Sequence, residues 1–489
     1  MNKIKYTAAA LIHWLLTFYT DSFVFERNGE TNEFNYIACK IILLILLFFV
    51  WKRIFEHSRD DLQVLKFAGL YLIPLIIVMY FKLPQGFLSN DESLIYEEAV
   101  HLKDYTWFSY LTTWYYILSL MLIPFKLAPI FIKVMIQLLV CGYTVKRLAG
   151  RFGIKRAFFA YIPFLFYPVL AYTTSAHRIP VYFLLYAFLI FKLYMDRQEG
   201  RDTGFKELIW ILLLGAVLTQ WRTEGIYLII ILPLLLFFAY PFLRSIKRFL
   251  IMAALFILAQ YLVSVPQNGL IPGRMGDKAN NRMAPFYAYT ITNMMRNGLD
   301  RDRNRESLKK IDRYLDIAAI DRINEDLKDI NYEDVLILYY PGYTGVREDV
   351  TPEDYNAYTE GCVEIFKNNP DVFFKTRRGA FNYAALPYHL NFAALSGGAK
   401  GLVLFAFSIV KALFYNLYIP CILLVIGLII FLIRRRWFEF FASSGLAGHF
   451  VIVFILAPAS YFKYYFPIYF TVYLFLTVFA VEAAENRPH

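Results

Sequence analysis

Apolar residues recur along the chain in runs of 15 to 25, each closed by a short polar or basic stretch. Runs of that length cross a hydrocarbon core of ~30 Å as single helices. They predict spans at 4–24, 34–51, 66–82, 127–146, 157–174, 179–195, 207–221, 225–243, 248–265, 412–433, 438–457 and 463–481, about twelve crossings of an all-α polytopic membrane protein. The 37 residues of 207–243 would extend about 55 Å as one helix, so the chain must turn at Trp221-Arg222-Thr223-Glu224-Gly225. The stretch 157–195 must turn as well, and its one polar interruption is Thr173 to Arg178. Lys3 and Lys5 before an apolar start resemble a signal peptide, but Thr17 to Phe25 offers no small-x-small cleavage site, so 4–24 reads as a span.

Composition supports this reading: 58% of the 489 residues are apolar and 18% charged, whereas soluble proteins carry roughly 25% charged residues. It also excludes a disordered chain or a disulfide scaffold. Cys39, Cys141 and Cys421 lie in apolar runs and Cys362 has no polar-side partner, so no disulfide is expected. The net charge of +11 is divided by membrane side, not gathered in a groove, so nucleic acid is not an expected partner. With the N-terminus inside, Lys52/Arg53/Arg59, Lys146/Arg147/Arg151, Lys192/Arg197/Arg201, Arg244/Lys247/Arg248 and Arg434/Arg435/Arg436 all fall in the cytoplasm, as the positive-inside rule requires.

The same topology places 266–399 outside, as a mainly helical domain between an N-terminal transmembrane region, 1–265, and C-terminal transmembrane helices, 400–489. This outer segment has 17 Lys and Arg against 19 Asp and Glu, a net charge of −2. Leu308, Ile311, Leu315, Ala319, Ile323 and Leu327 recur at helical spacing and predict one amphipathic helix. Thr351-Pro352 and Asn369-Pro370 predict N-caps with proline in the first turn. Val335 to Tyr340 reads as a short strand, and Gly397-Gly398 as the return to the membrane.

The candidate chemistry starts in the outer loop 83–126. Ser89-Asn90-Asp91-Glu92 places two adjacent carboxylates just outside a span, followed by an aromatic stretch, 105–124, suited to lying at the headgroup interface. A carboxylate at that depth suits proton abstraction from a hydroxyl, which makes Asp91 the candidate base and Glu92 its catalytic neighbour. The plainer alternative is a capping box of Ser89 and Glu92. Isolated cations stand at three other outer turns: Arg178 after His177, Arg222 with Glu224, and Lys463 in Tyr461-Phe462-Lys463-Tyr464-Tyr465. Singly each reads as snorkelling; together they suit a phosphate-bearing lipid headgroup. Glu224, two residues from Arg222, reads as orienting a neighbouring cation, and Arg377 and Arg378 as a solvated helix face. There is no P-loop, no dinucleotide fingerprint, no nucleophile elbow and no His/Cys cluster at metal spacing.

This layout resembles the GT-C superfamily of integral-membrane glycosyltransferases, which use polyprenyl-phosphate sugars. The resemblance rests on the acidic outer loop with Asp91-Glu92, the interfacial helix after it, the turns bearing Arg178 and Trp221-Arg222-Thr223-Glu224-Gly225, and the terminal Tyr461 to Tyr465. It implies a GT-C-like bundle in which Asp91 is general base on the acceptor, with Arg178, Arg222 and Lys463 holding the lipid phosphate. Two features differ: three spans, 4–24, 34–51 and 66–82, precede the acidic loop where such enzymes commonly have one, and the outer domain lies between spans. The expected activity is inverting transfer of a sugar from a polyprenyl-phosphate donor to a glycan, lipid or protein hydroxyl on the outer face of a bacterial cytoplasmic membrane. A divalent metal is compatible with that chemistry, but no ligand set indicates one. The alternatives are a lipid-linked glycan polymerase or ligase, and a glycolipid flippase or transporter without chemistry.

Overall fold

The computed structural model describes residues 2–27, 31–82, 90–103, 108–267, 283–326, 328, 345–347 and 350–485. Among these the regular structure is helical, with a single isolated bridge between Leu315 and Val346. Among the described residues eight helical segments are long and apolar enough to cross a membrane, or nine counting one bent pair, so the protein is a polytopic helical membrane protein. The predicted strand at 335–340 lies outside the described residues.

The chain divides into two compact units. The first comprises Met1–Pro272, Ile422–Leu446 and Phe466–His489. It opens with α1 (Asn2–Asp21), α2 (Glu33–Phe55), α3 (Arg59–Lys82), α4 (Asn90–Val100), α5 (Tyr110–Leu122) and α6 (Ala128–Phe152). The start of α2 shows how sequence sets a boundary. Asn32 accepts the Phe34 N–H at 3.1 Å, Glu33 lies in the first turn, and Lys52 and Arg53 lie in the last, complementing the helix dipole. Helices α3 and α6 meet closely because Gly142 has no side chain: a Cβ there would come within 2.4 Å of the Val64 carbonyl oxygen.

Helix α5, in the aromatic stretch expected at the headgroup interface, packs among other helices. It is buried around most of its circumference and touches α1, α2, α4 and α6. The polar tips of its aromatics are satisfied internally. Trp114 Nε1 donates to Asn35 Oδ1 at 2.8 Å, and the Tyr116 hydroxyl donates to the Ala176 carbonyl at 3.0 Å.

Next come α7 (Ile154–Ala157), α8 (Tyr161–Leu165), α9 (Tyr167–Thr173) and α10 (Ile179–Gln198). The expected span 157–174 is broken, with a bend of 64° between the segments Ile154–Leu165 and Tyr167–Thr173. Pro168 is the reason: it lacks the N–H that a continuous helix would give to the Phe164 carbonyl, which instead accepts the Tyr71 hydroxyl at 2.5 Å. The unit continues with α11 (Phe205–Trp221), α12 (Leu228–Ala239) and α13 (Ile246–Val265). Between α11 and α12 the chain turns where expected: Arg222 is extended, at φ −139° and ψ 143°, and a 3-10 turn covers Thr223–Tyr227. Gly225 is required there, because a Cβ would lie 2.6 Å from the Leu218 carbonyl oxygen.

The second unit comprises Gly273–Cys421 and Ala447–Tyr465. It contains α14 (Ala284–Arg296), α15 (Arg305–Ile311), α16 (Ile317–Asp326), α17 (Pro352–Asn368), α18 (Pro370–Ala385) and α19 (Gly398–Phe414). The last helices are α20 (Tyr418–Ile433), α21 (Trp437–Leu456) and α22 (Phe466–Glu485); the first two are divided between the units and α22 belongs to the first. The expected single helix from Leu308 onward is two helices. Asp312 accepts the Ile317 N–H and Asp316 the Ala318 N–H, both at 3.0 Å, so these acids restart the helix instead of continuing it. Thr351 and Asp354 form a full capping box at α17, and Pro370 lies in the first turn of α18.

Arg377 is not on a solvated face. It is 1% exposed and donates to the Phe454 and Ala457 carbonyls at 2.6 and 2.9 Å, closing the C-terminal end of α21. All four cysteines are free.

Candidate functional site

The acidic pair stands in the first turn of α4. Glu92 shares a helical face with Ile95 and Ala99, both fully buried, and is itself 2% exposed. Asp91, one step around the helix, is half-buried and keeps access to the surroundings. Glu92 Oε1 lies 3.4 Å from the backbone nitrogen of Arg178 and 3.5 Å from His177 Nδ1. The two acids therefore have different environments: Glu92 faces the turn between α9 and α10, and Asp91 is the more accessible. Ser89, the partner in the capping-box alternative, lies outside the described residues.

That turn is held from below. Lys133 of α6, 1% exposed, donates to the carbonyls of Ser175 and of His177, the latter at 2.6 Å, and Tyr116 holds the Ala176 carbonyl between them. An ammonium on two carbonyls is a strong, directional restraint where water is excluded. Sequence reasoning passed over Lys133; its signal is a cation well inside the apolar run 127–146, away from Lys146 at its end.

Arg178, the residue before α10, is half-buried, and its guanidinium carbon lies 3.1 Å from the centroid of the Phe108 ring. Its Nη1 nitrogen is buried without a hydrogen-bond partner among the described residues. Burial pulls its proton affinity below the ordinary arginine value; Glu92 and Asp91 oppose that shift while Arg222 reinforces it. The structure thus brings Asp91, Glu92 and Arg222 each within electrostatic reach of Arg178.

Arg222 is gripped by Glu224 through Nε to Oε2 at 3.1 Å and Nη2 to Oε1 at 2.5 Å. Helical spacing would have kept these two side chains apart. The extended backbone at Arg222 followed by a 3-10 turn lets them meet, so Glu224 orients Arg222 itself. Lys463 belongs to the second unit, in a 3-10 turn over Phe462–Tyr465, with its ammonium 4.7 Å from the centroid of the Tyr461 ring.

A charged cavity of about 530 Å³ lies between α3, α6, α10 and α11. Its residues include the basic clusters read from sequence as topology markers, here matched with acids. Buried Asp196 accepts from Arg147 Nη2 at 3.0 Å, Lys192 at 2.5 Å and Tyr240 at 2.7 Å, and Lys146 pairs with Asp60 at 2.7 Å. Among the described residues no group of three His, Cys, Asp or Glu side chains could hold a metal ion.

The cluster around Arg178 offers two guanidinium groups for an anion and an accessible carboxylate for a proton. The chain matches no family model, no curated protein and no solved structure.

Proposed function

We propose that the protein is a GT-C-like membrane glycosyltransferase that moves a sugar from a polyprenyl-phosphate donor to an acceptor hydroxyl on the outer face of the cell membrane. About twelve crossings would form its bundle, counting α1, the bent pair, α11 and α12 as spans. The observation that carries the reading is Arg178. A recessed guanidinium with an unpartnered nitrogen, close to Arg222 and to an accessible Asp91, suits a phosphate on one side and a nucleophilic hydroxyl on the other.

In this reading Asp91 takes the acceptor proton as its oxygen attacks the anomeric carbon. The bond to the lipid phosphate breaks, and its electron pair stays on the phosphate oxygen, where Arg178 and Arg222 neutralise it. Glu92 and His177 act from behind by fixing the turn, Glu224 by aiming Arg222. Holding both reactants in one pocket supplies further rate enhancement.

The test incubates purified wild type and Asp91→Asn with labelled polyprenyl-phosphate sugars and a panel of acceptors. Transfer by wild type falling at least ~100-fold in Asp91→Asn, with donor binding retained, supports the assignment. Equal release of lipid phosphate by both removes Asp91 as base. A preference for lipid-diphosphate oligosaccharides would favour the polymerase or ligase alternative.

A transporter is the second reading, and α6 favours it. This one helix carries buried Lys133, Gln137, Thr144 and Arg147, running from the Arg178 cluster to the charged cavity between α3, α6, α10 and α11. Movement of a labelled glycolipid across vesicles without chemical change would establish that reading.

A further inference from the structure

An apolar groove of about 310 Å³ runs between α10, α20, α21 and α22, and one end of it is basic. Ile426, Gly427, Ile430 and Phe431 of α20 line it together with Phe475 and Phe479 of α22, the Phe431 and Phe479 rings touching with centroids 5.6 Å apart. At Gly427 the wall is hollowed: a Cβ there would meet only the Phe431 ring, at 3.4 Å, and a longer side chain would extend into the groove.

Arg434 and Arg436 line the basic end with Glu439. Buried Glu439 already serves Arg197 at 2.9 Å and Arg436 at 2.7 Å, and Glu482 is the other acid whose charge bears on Arg436. Among the described residues no carboxylate pairs with Arg434 or Arg435. Four arginines therefore meet two acids, leaving an excess of positive charge beside an apolar slot. From Leu423 to Arg434 the helix rises about 16 Å, close to half of a ~30 Å hydrocarbon core, so the groove has the depth of one leaflet.

We propose that this groove is a binding site for an anionic phospholipid, with one acyl chain along α20 and the phosphate at Arg434, the exposed Arg435 next to it in sequence adding positive charge at that end. The leaflet is the one at the arginine-rich end, which the charge asymmetry of the loops makes cytoplasmic, where anionic lipids are attracted by such clusters. Bulk lipid against a merely greasy surface needs no excess of cations. A soluble anion has no use for the apolar wall. The combination selects a molecule that carries both.

The test strips full-length protein of lipid in neutral detergent and adds phosphatidylglycerol or phosphatidylcholine with identical chains, reading retained lipid by native mass spectrometry. Wild type should hold phosphatidylglycerol about 25-fold more tightly, about fivefold for each of the two arginines. Arg434→Gln with Arg435→Gln should weaken phosphatidylglycerol by roughly fivefold per arginine and leave phosphatidylcholine unchanged. Gly427→Leu should weaken both lipids, while Gly427→Ala, which adds only an ordinary contact, should weaken neither. Leucine is the better helix former at that position, so loss of fold is not the expected result. Equal retention of the two lipids by wild type would overturn the proposal, as would undiminished phosphatidylglycerol binding in Gly427→Leu. Displacement of the lipid by millimolar inorganic phosphate would also overturn it, by showing a headgroup site without a chain groove.

Discussion

Replacing Lys133 with methionine tests whether the turn bearing His177 and Arg178 is held by one buried ammonium. Lys133→Met keeps the apolar stem and removes the donor to the Ser175 and His177 carbonyls. Each buried carbonyl left without a partner costs about 1–3 kcal/mol, so the two together cost about 2–6 kcal/mol. Against that, an ammonium no longer has to be buried within a span, worth about 2.5–3.5 kcal/mol on insertion scales. The opposed effects leave a net destabilisation of about 3 kcal/mol or less. Positioning is not compensated in the same way, since Tyr116 and Glu92 are left to hold the turn and a displacement near 1 Å can reduce a rate about 100-fold. The expected result is a small change in thermal midpoint with a clear rise in amide deuterium exchange over residues 174–178, and loss of whatever activity or donor binding wild type shows. Lys133→Gln, which keeps a donor, should be intermediate. Unchanged exchange across the turn in Lys133→Met would refute the reasoning, whatever the protein's substrate.

Gly142→Ala should destabilise the first unit by about 1–3 kcal/mol, because its methyl would overlap the Val64 carbonyl and force α3 away from α6; thermal unfolding in detergent measures it. Arg377→Met should destabilise the second unit by about 2–4 kcal/mol through the freed Phe454 and Ala457 carbonyls, whereas the exposed Arg378→Met should change the midpoint little. The Asp354 carboxyl is held below its ordinary value of 3.8 by hydrogen bonds from Thr351, with Arg313 adding to the effect. A depressed folded-state value means that its contribution is present above that ordinary value and is lost as pH falls through the lower, folded one. Amide exchange at the start of α17 should therefore rise in strong acid, and Asp354→Asn should remove that pH dependence.

Much of the helical framework was legible because its causes are local. Long apolar runs announce spans without any knowledge of neighbours, and the proline after Thr351 or Asn369 marks a helix start in three or four residues. The forced turn at Trp221 to Gly225 follows from length alone. The bend at Pro168 was harder to read, since whether a proline breaks a span depends on who takes the freed carbonyl. Here that is Tyr71, 93 positions earlier. The same distinction separates Asp312 and Asp316, whose side chains end one helix and begin another, from the apolar stripe that ran straight through them.

The candidate site divides along that line. An acid pair beside a span and single cations at turns could be named from sequence, because burying such groups is costly and their presence needs a reason. Their partners could not be named. Glu92 meets the backbone of Arg178 across 86 positions, Lys133 reaches a turn more than 40 residues away, and Phe108 supplies the ring beneath a guanidinium. Arg222 and Glu224 pair because the backbone between them leaves helical geometry, and Arg377 is buried because a helix end arrives above it. Hydropathy and charge bias act residue by residue and persist in any fold that enters a membrane. Electrostatic pairing falls off within a few ångströms, so it exists only after packing has brought distant segments together.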